Sequence, residues 1–274
     1  MPVRSSKAQW VQHRTSITKT KPNHIMTRGY RQEELIGQVR FANVFFLLLK
    51  GRMPDENEAV MVDALITACI DHGVTPPSTH SARIVASAGV PLPTAVAAGI
   101  LAIGDVHGGA IEDGARILQE WVTEMHKKNW SLEQTAQRLL ASLKEQNLRM
   151  PGFGHRIHTQ DPRTQRLYEL AKKHGCAKDH IALSQQIERE FAKKKALPIN
   201  VDGAIAAILS DMGFDYRLGK AFFVLGRCAG LIAHVYEEMT TQKPMRKMCS
   251  QDVEYNGPWE RDLDNGKRQN SKGK

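Results

Sequence analysis

Residues 221–236 read AFFVLGRCAGLIAHVY, a mostly apolar run that nevertheless carries Arg227 and His234. The run is too short to cross a bilayer, which takes about 20 apolar residues, and it holds a charge. It therefore predicts a helix buried in a protein core. An arginine in the middle of such a helix is costly unless it faces an anion. Arg227 is thus either half of a structural ion pair or a binding group for an anionic ligand.

The rest of the chain repeats the period of a helix. Apolar residues recur at helical spacing over 57–70, 93–103, 109–127, 131–145, 162–174, 178–195, 201–212 and 217–239. Ser131 followed by Gln134 fits a capping box, Pro162 opens a helix, and Gly175 and Gly213 each stop one. No alternating β-branched run is long enough to predict a strand, and no fixed-period repeat or heptad seam is visible. The expected fold class is all-α, with about nine or ten helices. The first dozen residues and 262–274 lack the pattern and read as frayed ends. At 274 residues, 41% hydrophobic and 24% charged, the chain can bury a sizeable core in one large domain or two modest ones.

The formal net charge is +9, from 38 Lys+Arg against 29 Asp+Glu. That balance asks for an anionic partner: nucleic acid, a membrane surface or a phosphorylated small molecule. Aromatics are only 6% and the lysines are spread along the chain, so neither a basic recognition helix nor an aromatic-bearing sheet stands out. No nucleic acid and no membrane is expected as a partner. Cys69, Cys176, Cys228 and Cys249 form no CxxC pair and sit beside apolar or small residues. Residues 1–10 hold no apolar segment of a signal peptide, so a reducing cytoplasm is the expected location.

Chemistry-bearing residues gather at the joints between helices, where sites are usually built. These joints read DHG at 71–73, GDVHGG at 104–109, PGFGHR at 151–156 and PINVDG at 198–203. His107 precedes two glycines and a helix start. A neutral imidazole there can donate a hydrogen bond to an enolate, or be incidental to a turn. His155, between a tight turn and the basic stretch 156–163, suits proton transfer at a carbonyl or hydroxyl oxygen. Arg163, after Asp161-Pro162, can clamp a carboxylate or lie on a solvated face, as Arg166 is expected to do. Asp202 is either a helix-start carboxylate or a base that takes a proton from carbon. Lys193, Lys194 and Lys195, with Arg189 upstream, can hold cofactor phosphates or form a solvated helix end. His72 and His80 lie eight apart with prolines between them, which is not metal-ligand spacing, and no metal is expected. The dinucleotide, P-loop, HExxH and GxSxG signatures are all missing.

Taken in order, DHG, GDVHGGA, PGFGHR followed by DPR, NVDG and LGRCAGLIAH resemble the citrate synthase superfamily. Thr27-Arg28-Gly29-Tyr30 and LLLKGRMP extend the resemblance, which runs from about residue 25 to about 240. It implies a citrate-synthase-like two-domain helical fold closing over its substrate. The large domain would be 1–108 and 211–274, and the small domain 109–210. It implies a homodimer or higher homo-oligomer. The implied chemistry joins or splits a carbon–carbon bond between the α-carbon of an acyl-CoA and a keto acid. A coenzyme A thioester is then substrate or product, and no tightly bound cofactor is implied. His107, His155 and Asp202 would be catalytic. His72, Arg163 and Arg227 would hold the keto acid, and Arg156, Lys193, Lys194 and Lys195 would meet CoA phosphate.

This chain also departs from the family pattern. It is much shorter than a usual citrate synthase, mainly between Pro54 and His72, which implies a truncated large domain. That short form resembles citryl-CoA lyase and the C-terminal lyase module of ATP-citrate lyase. Lys243-Pro244 stands where the family carries Arg-Pro, with Arg246 nearby as a substitute, and the loop from His155 to Arg163 is one residue shorter than usual. The favoured reading is a lyase that cleaves a citryl-CoA-like thioester to acyl-CoA and an oxaloacetate-like keto acid. A compact citrate or methylcitrate synthase is the alternative that His107 supports. A basic RNA- or partner-binding protein on this scaffold is the non-enzymatic alternative.

Overall fold

The computed structural model describes residues 14–154, 161–193, 196–247 and 254–260. The stretches read as frayed, the first dozen residues and 262–274, lie outside them. The helices run in chain order as α1 (Gln32–Leu35), α2 (Phe41–Lys50), α3 (Glu56–Ala68), α4 (Pro77–Ser87), α5 (Leu92–Leu101) and α6 (Ala110–Lys128). They continue as α7 (Leu132–Glu145), α8 (Pro162–Lys173), α9 (Asp179–Ala192), α10 (Val201–Asp211) and, after a 3-10 turn at Tyr216–Leu218, α11 (Gly219–Thr241). Helices at the expected places end within a few residues of their predicted bounds. Ser131 and Gln134 form the capping box of α7, and Asp55 and Glu58 form another on α3. Each such cap contributes ~1 kcal/mol.

The expectation of no strands is corrected. Ahead of α1, β1 (Thr18–Lys21), β2 (His24–Thr27) and β3 (Tyr30–Arg31) pair antiparallel in the order β1-β2-β3. Strands this short are over before an alternation can be read. The Arg28 guanidinium donates to the Leu48 carbonyl from Nε at 3.1 Å and Nη2 at 2.7 Å, tying the sheet to the end of α2.

The buried core falls into two clusters. In the larger one every residue of α10 except Asp202 is buried, packed on α6, α8 and α9. This cluster draws Phe46, Met61 and Leu65 from one expected domain, Ile111 and Leu139 from the other, and Phe222 from α11. It therefore runs across the expected boundaries at 108/109 and 210/211. The smaller cluster joins α4, α5 and the second half of α11 through Ala82, Ala86, Val96, Leu231 and Val235. α11 threads both clusters, as the core helix read from 221–236. A Cβ on Gly226 would come within 2.5 Å of the Ile66 carbonyl, so only glycine lets the end of α3 lie this close to α11. That contact fixes where Arg227 meets the α3–α4 joint.

Candidate active site

The four joints converge on one cleft of about 540 Å³. His72, His107, Arg163, Asp202 and Arg227 all line it, together with Gly154, the residue before His155. Five of the ten residues expected at the site are thus brought together from five separate stretches. His155, Arg156, Lys194 and Lys195 lie outside the described residues.

Arg227 is only 3% exposed, yet no described carboxylate forms an ion pair with it. Its Nε donates to the Cys69 carbonyl at 3.1 Å, and its guanidinium lies 4.8 Å from the centroid of the Phe223 ring. Nη1 is buried with no hydrogen-bond partner among the described residues. Burial pulls the Arg227 pKa below its ordinary value, against the charges of Asp71, Cys69 and Asp202. A buried cation with an idle donor is energetically incomplete, and an anionic ligand completes it. This favours the ligand-binding option for Arg227 over the structural ion pair. Cys69 beside it is inert, its thiol pushed up to about 12 by burial.

His107 stands one residue before the positive-φ Gly108 and close to the start of α6. Its Nε2 lies 2.8 Å from the hydroxyl of Ser78, a fully buried residue on α4, and its ring packs edge-on against Phe223. Burial and then the charge of Arg227 pull its pKa below the ordinary value, so the ring is neutral at neutral pH. Ser78 is a site residue that sequence reading missed, because only the fold brings it to a histidine 29 positions away.

Asp202 sits in the first turn of α10, but the cap is Asn200, whose Oδ1 accepts from the Asp202 and Gly203 amides at 3.0 and 3.2 Å. Asp202 is thereby released from the capping role. Burial pushes its pKa up, against the pull of Arg163 and Arg227. Arg163 is held bidentately by buried Asp161 at 3.0 and 2.8 Å, so it enters the cleft as a fixed, half-neutralised donor. His72 lies on the exposed joint whose Asp71 accepts from the Gly73 amide at 3.0 Å and faces His234 Nε2 at 3.0 Å.

Two expected binding residues lie elsewhere. Lys193 pairs with Glu190 at 2.8 Å and Glu133 at 3.6 Å, on the rim of a second groove of about 920 Å³ between the ends of α7 and α9. Lys144, Arg149 and Phe153 line the same groove. Arg246, read as a substitute near Lys243, turns back onto buried Glu238 at 2.9 and 2.5 Å, where Arg83 of α4 also binds at 2.8 Å.

Comparison with known proteins extends these findings. Residues 53–248 match the citrate synthase C-terminal domain family. The fold superposes on the structure of citryl-CoA lyase from Hydrogenobacter thermophilus with a TM-score of 0.85 and 43% identity, covering 95% of this chain and 100% of that one. ATP citrate lyase from Methanothrix soehngenii, solved with citrate and coenzyme A, superposes with a TM-score of 0.79 at 24% identity, over 95% of this chain and 45% of that one. ATP-citrate synthase beta chain protein 1 of Oryza sativa subsp. japonica is 29% identical over 214 residues, 71% of this chain. The chain spans about a third of the length of that relative, 34%. With the fold, the converged joints and the matched domain in agreement, the chain belongs to the citrate synthase family.

Proposed function

We propose that this protein cleaves a citryl-CoA-like thioester into an acyl-CoA and an oxaloacetate-like keto acid. The observation that carries the reading is one cleft holding a carboxyl group of raised pKa, a neutral imidazole and two arginines. The end-to-end likeness to a citryl-CoA lyase supports it.

The chemistry follows from what each group can do. His155, next in sequence to cleft-lining Gly154, takes the proton from the tertiary hydroxyl. The hydroxyl oxygen becomes the keto oxygen as the carbon–carbon bond breaks, and the bonding pair passes to the acyl-CoA fragment as an enolate. His107 stabilises that enolate by hydrogen bonding. In the tautomer whose Nε2 accepts from the Ser78 hydroxyl, the proton of the neutral ring resides on Nδ1 and is available to donate. Asp202 then delivers a proton to the carbon. Its raised pKa suits this step, because the cleaving direction needs the acid form. Arg227 and Arg163 hold the carboxylates and orient the keto acid, which removes much of the entropic barrier.

We assign the second groove to the CoA nucleotide, where Lys144, Arg149 and Lys193 offer cations to phosphate. Arg156, Lys194 and Lys195 belong to the same assignment. The working form is a homodimer or higher homo-oligomer. Ile232, Tyr236 and Met239 make an exposed stripe at helical spacing on α11, which supports burial against a second copy. Cys69, Cys176 and Cys228 are free thiols, which supports a reducing, cytoplasmic setting.

A compact synthase is the second reading, favoured by the retained His107 pairing. One experiment separates the two. The protein is given citryl-CoA, and separately acetyl-CoA with oxaloacetate, while free thiol and acetyl-CoA are followed. The lyase reading expects acetyl-CoA without thiol in the first assay. Thiol release in the second assay identifies a synthase, and turnover in neither sinks both.

A further inference from the structure

We propose that Asn200 is a positioning residue that ties Gly154, on the cleft wall, to the backbone of Asp202 and so fixes the carbon-side acid; this rests on the role just assigned to Asp202. The two joints that carry these residues are zipped together. Asn200 N donates to the Gly152 carbonyl at 3.0 Å, Gly154 N donates to the Pro198 carbonyl at 2.8 Å, and Phe153 bridges Ile199. Glu188 of α9 braces the pair by accepting from the Ile199 amide at 2.8 Å. A Cβ on Gly203 would lie 2.3 Å from the Gly152 carbonyl oxygen, so the joints touch backbone to backbone.

Beyond this zipper the Asn200 side chain takes over. Its Nδ2 donates to the Gly154 carbonyl at 2.7 Å, while its Oδ1 accepts from the Asp202 and Gly203 amides. The orientation of the carboxamide is fixed chemically. Flipping it would aim the NH2 group at two N–H donors and the oxygen at a carbonyl. The Gly154 carbonyl belongs to the peptide bond that leads into His155. Gly154 is at φ 80°, a glycine whose outgoing peptide plane turns freely unless pinned. One rigid carboxamide therefore pins both the Gly154 carbonyl and the amide of the carbon-side acid, Asp202. An asparagine at a helix start is usually read as a cap. A cap needs only the oxygen, whereas here the nitrogen is also engaged.

The difference can be measured. Asn200→Asp and Asn200→Ser both keep a good cap and lose the donor to Gly154. In the citryl-CoA cleavage assay, each should lower kcat by about 10–10²-fold with little change in KM and little change in melting temperature. Hydrogen exchange read without substrate should show residues 151–154 exchanging faster while the amides of α10 stay protected. A variant with wild-type kcat and wild-type exchange at 151–154 overturns the proposal. If the wild type itself fails to cleave citryl-CoA, the functional reading fails. The exchange data then decide the bridge: faster exchange at 151–154 supports it, and unchanged exchange refutes it.

Discussion

At the scale of single residues, this site trades stability for chemistry. Asp202 has a folded-state pKa above its ordinary value, so the fold disfavours its carboxylate. The linkage runs in one direction: ionising Asp202 costs stability as pH rises through the raised value, and the cost persists above it. Asp202→Asn should therefore melt at or above the wild-type temperature at pH 7, with the gap closing as pH falls. It should lose about 10²–10⁴-fold in turnover. Scanning calorimetry beside the cleavage assay checks both halves. Arg227→Met should behave alike, removing a buried and incompletely paired cation, with melting temperature retained and keto-acid capture lost. Near-wild-type KM in that variant would sink the carboxylate role. Arg227 was legible in the sequence because a charge in an apolar helix violates local chemistry. Ser78 and the second function of Asn200 were not, because neither breaks a local rule and their partners lie 29 and 46 residues away.

At the scale of elements, periodicity was a good guide wherever one face of a helix is wet. It marked α6 and α7 and failed at α2, FANVFFLLLK, which is apolar nearly all round. It also failed at α4, PSTHSARIVAS, whose buried face is made of Ser78, Thr79 and alanines rather than large apolar residues. The sheet escaped because its strands are two to four residues long. What joins α4 to α11 was equally hidden, since buried Glu238 gathers Arg83 from 155 residues away beside the nearby Arg246. Arg246 first, then Arg83, holds the Glu238 carboxyl below its ordinary value, overcoming burial. Its stabilisation is thus fully present above the ordinary value of 4.5 and is lost as pH falls through the depressed one. Glu238→Gln should cost about 1–3 kcal/mol at pH 7, and the difference from wild type should vanish in acid-unfolding curves well below pH 4.

At the scale of the whole molecule, the proposed oligomer has a direct check. Tyr236 is 63% exposed at the centre of the α11 stripe. Tyr236→Glu should shift the light-scattering mass to that of one chain while circular dichroism stays unchanged. An unaltered oligomer mass would remove α11 from the interface. The idle nitrogen of Arg227 has one more consequence, this time for the laboratory bench. A ligand that supplies the missing acceptor binds the folded chain and not the unfolded one, so it must raise the melting temperature by mass action. At a hundredfold excess over Kd that gain is about 2.7 kcal/mol. Ranking di- and tricarboxylates by thermal shift would then screen for the keto-acid end of the substrate before any thioester has been synthesised.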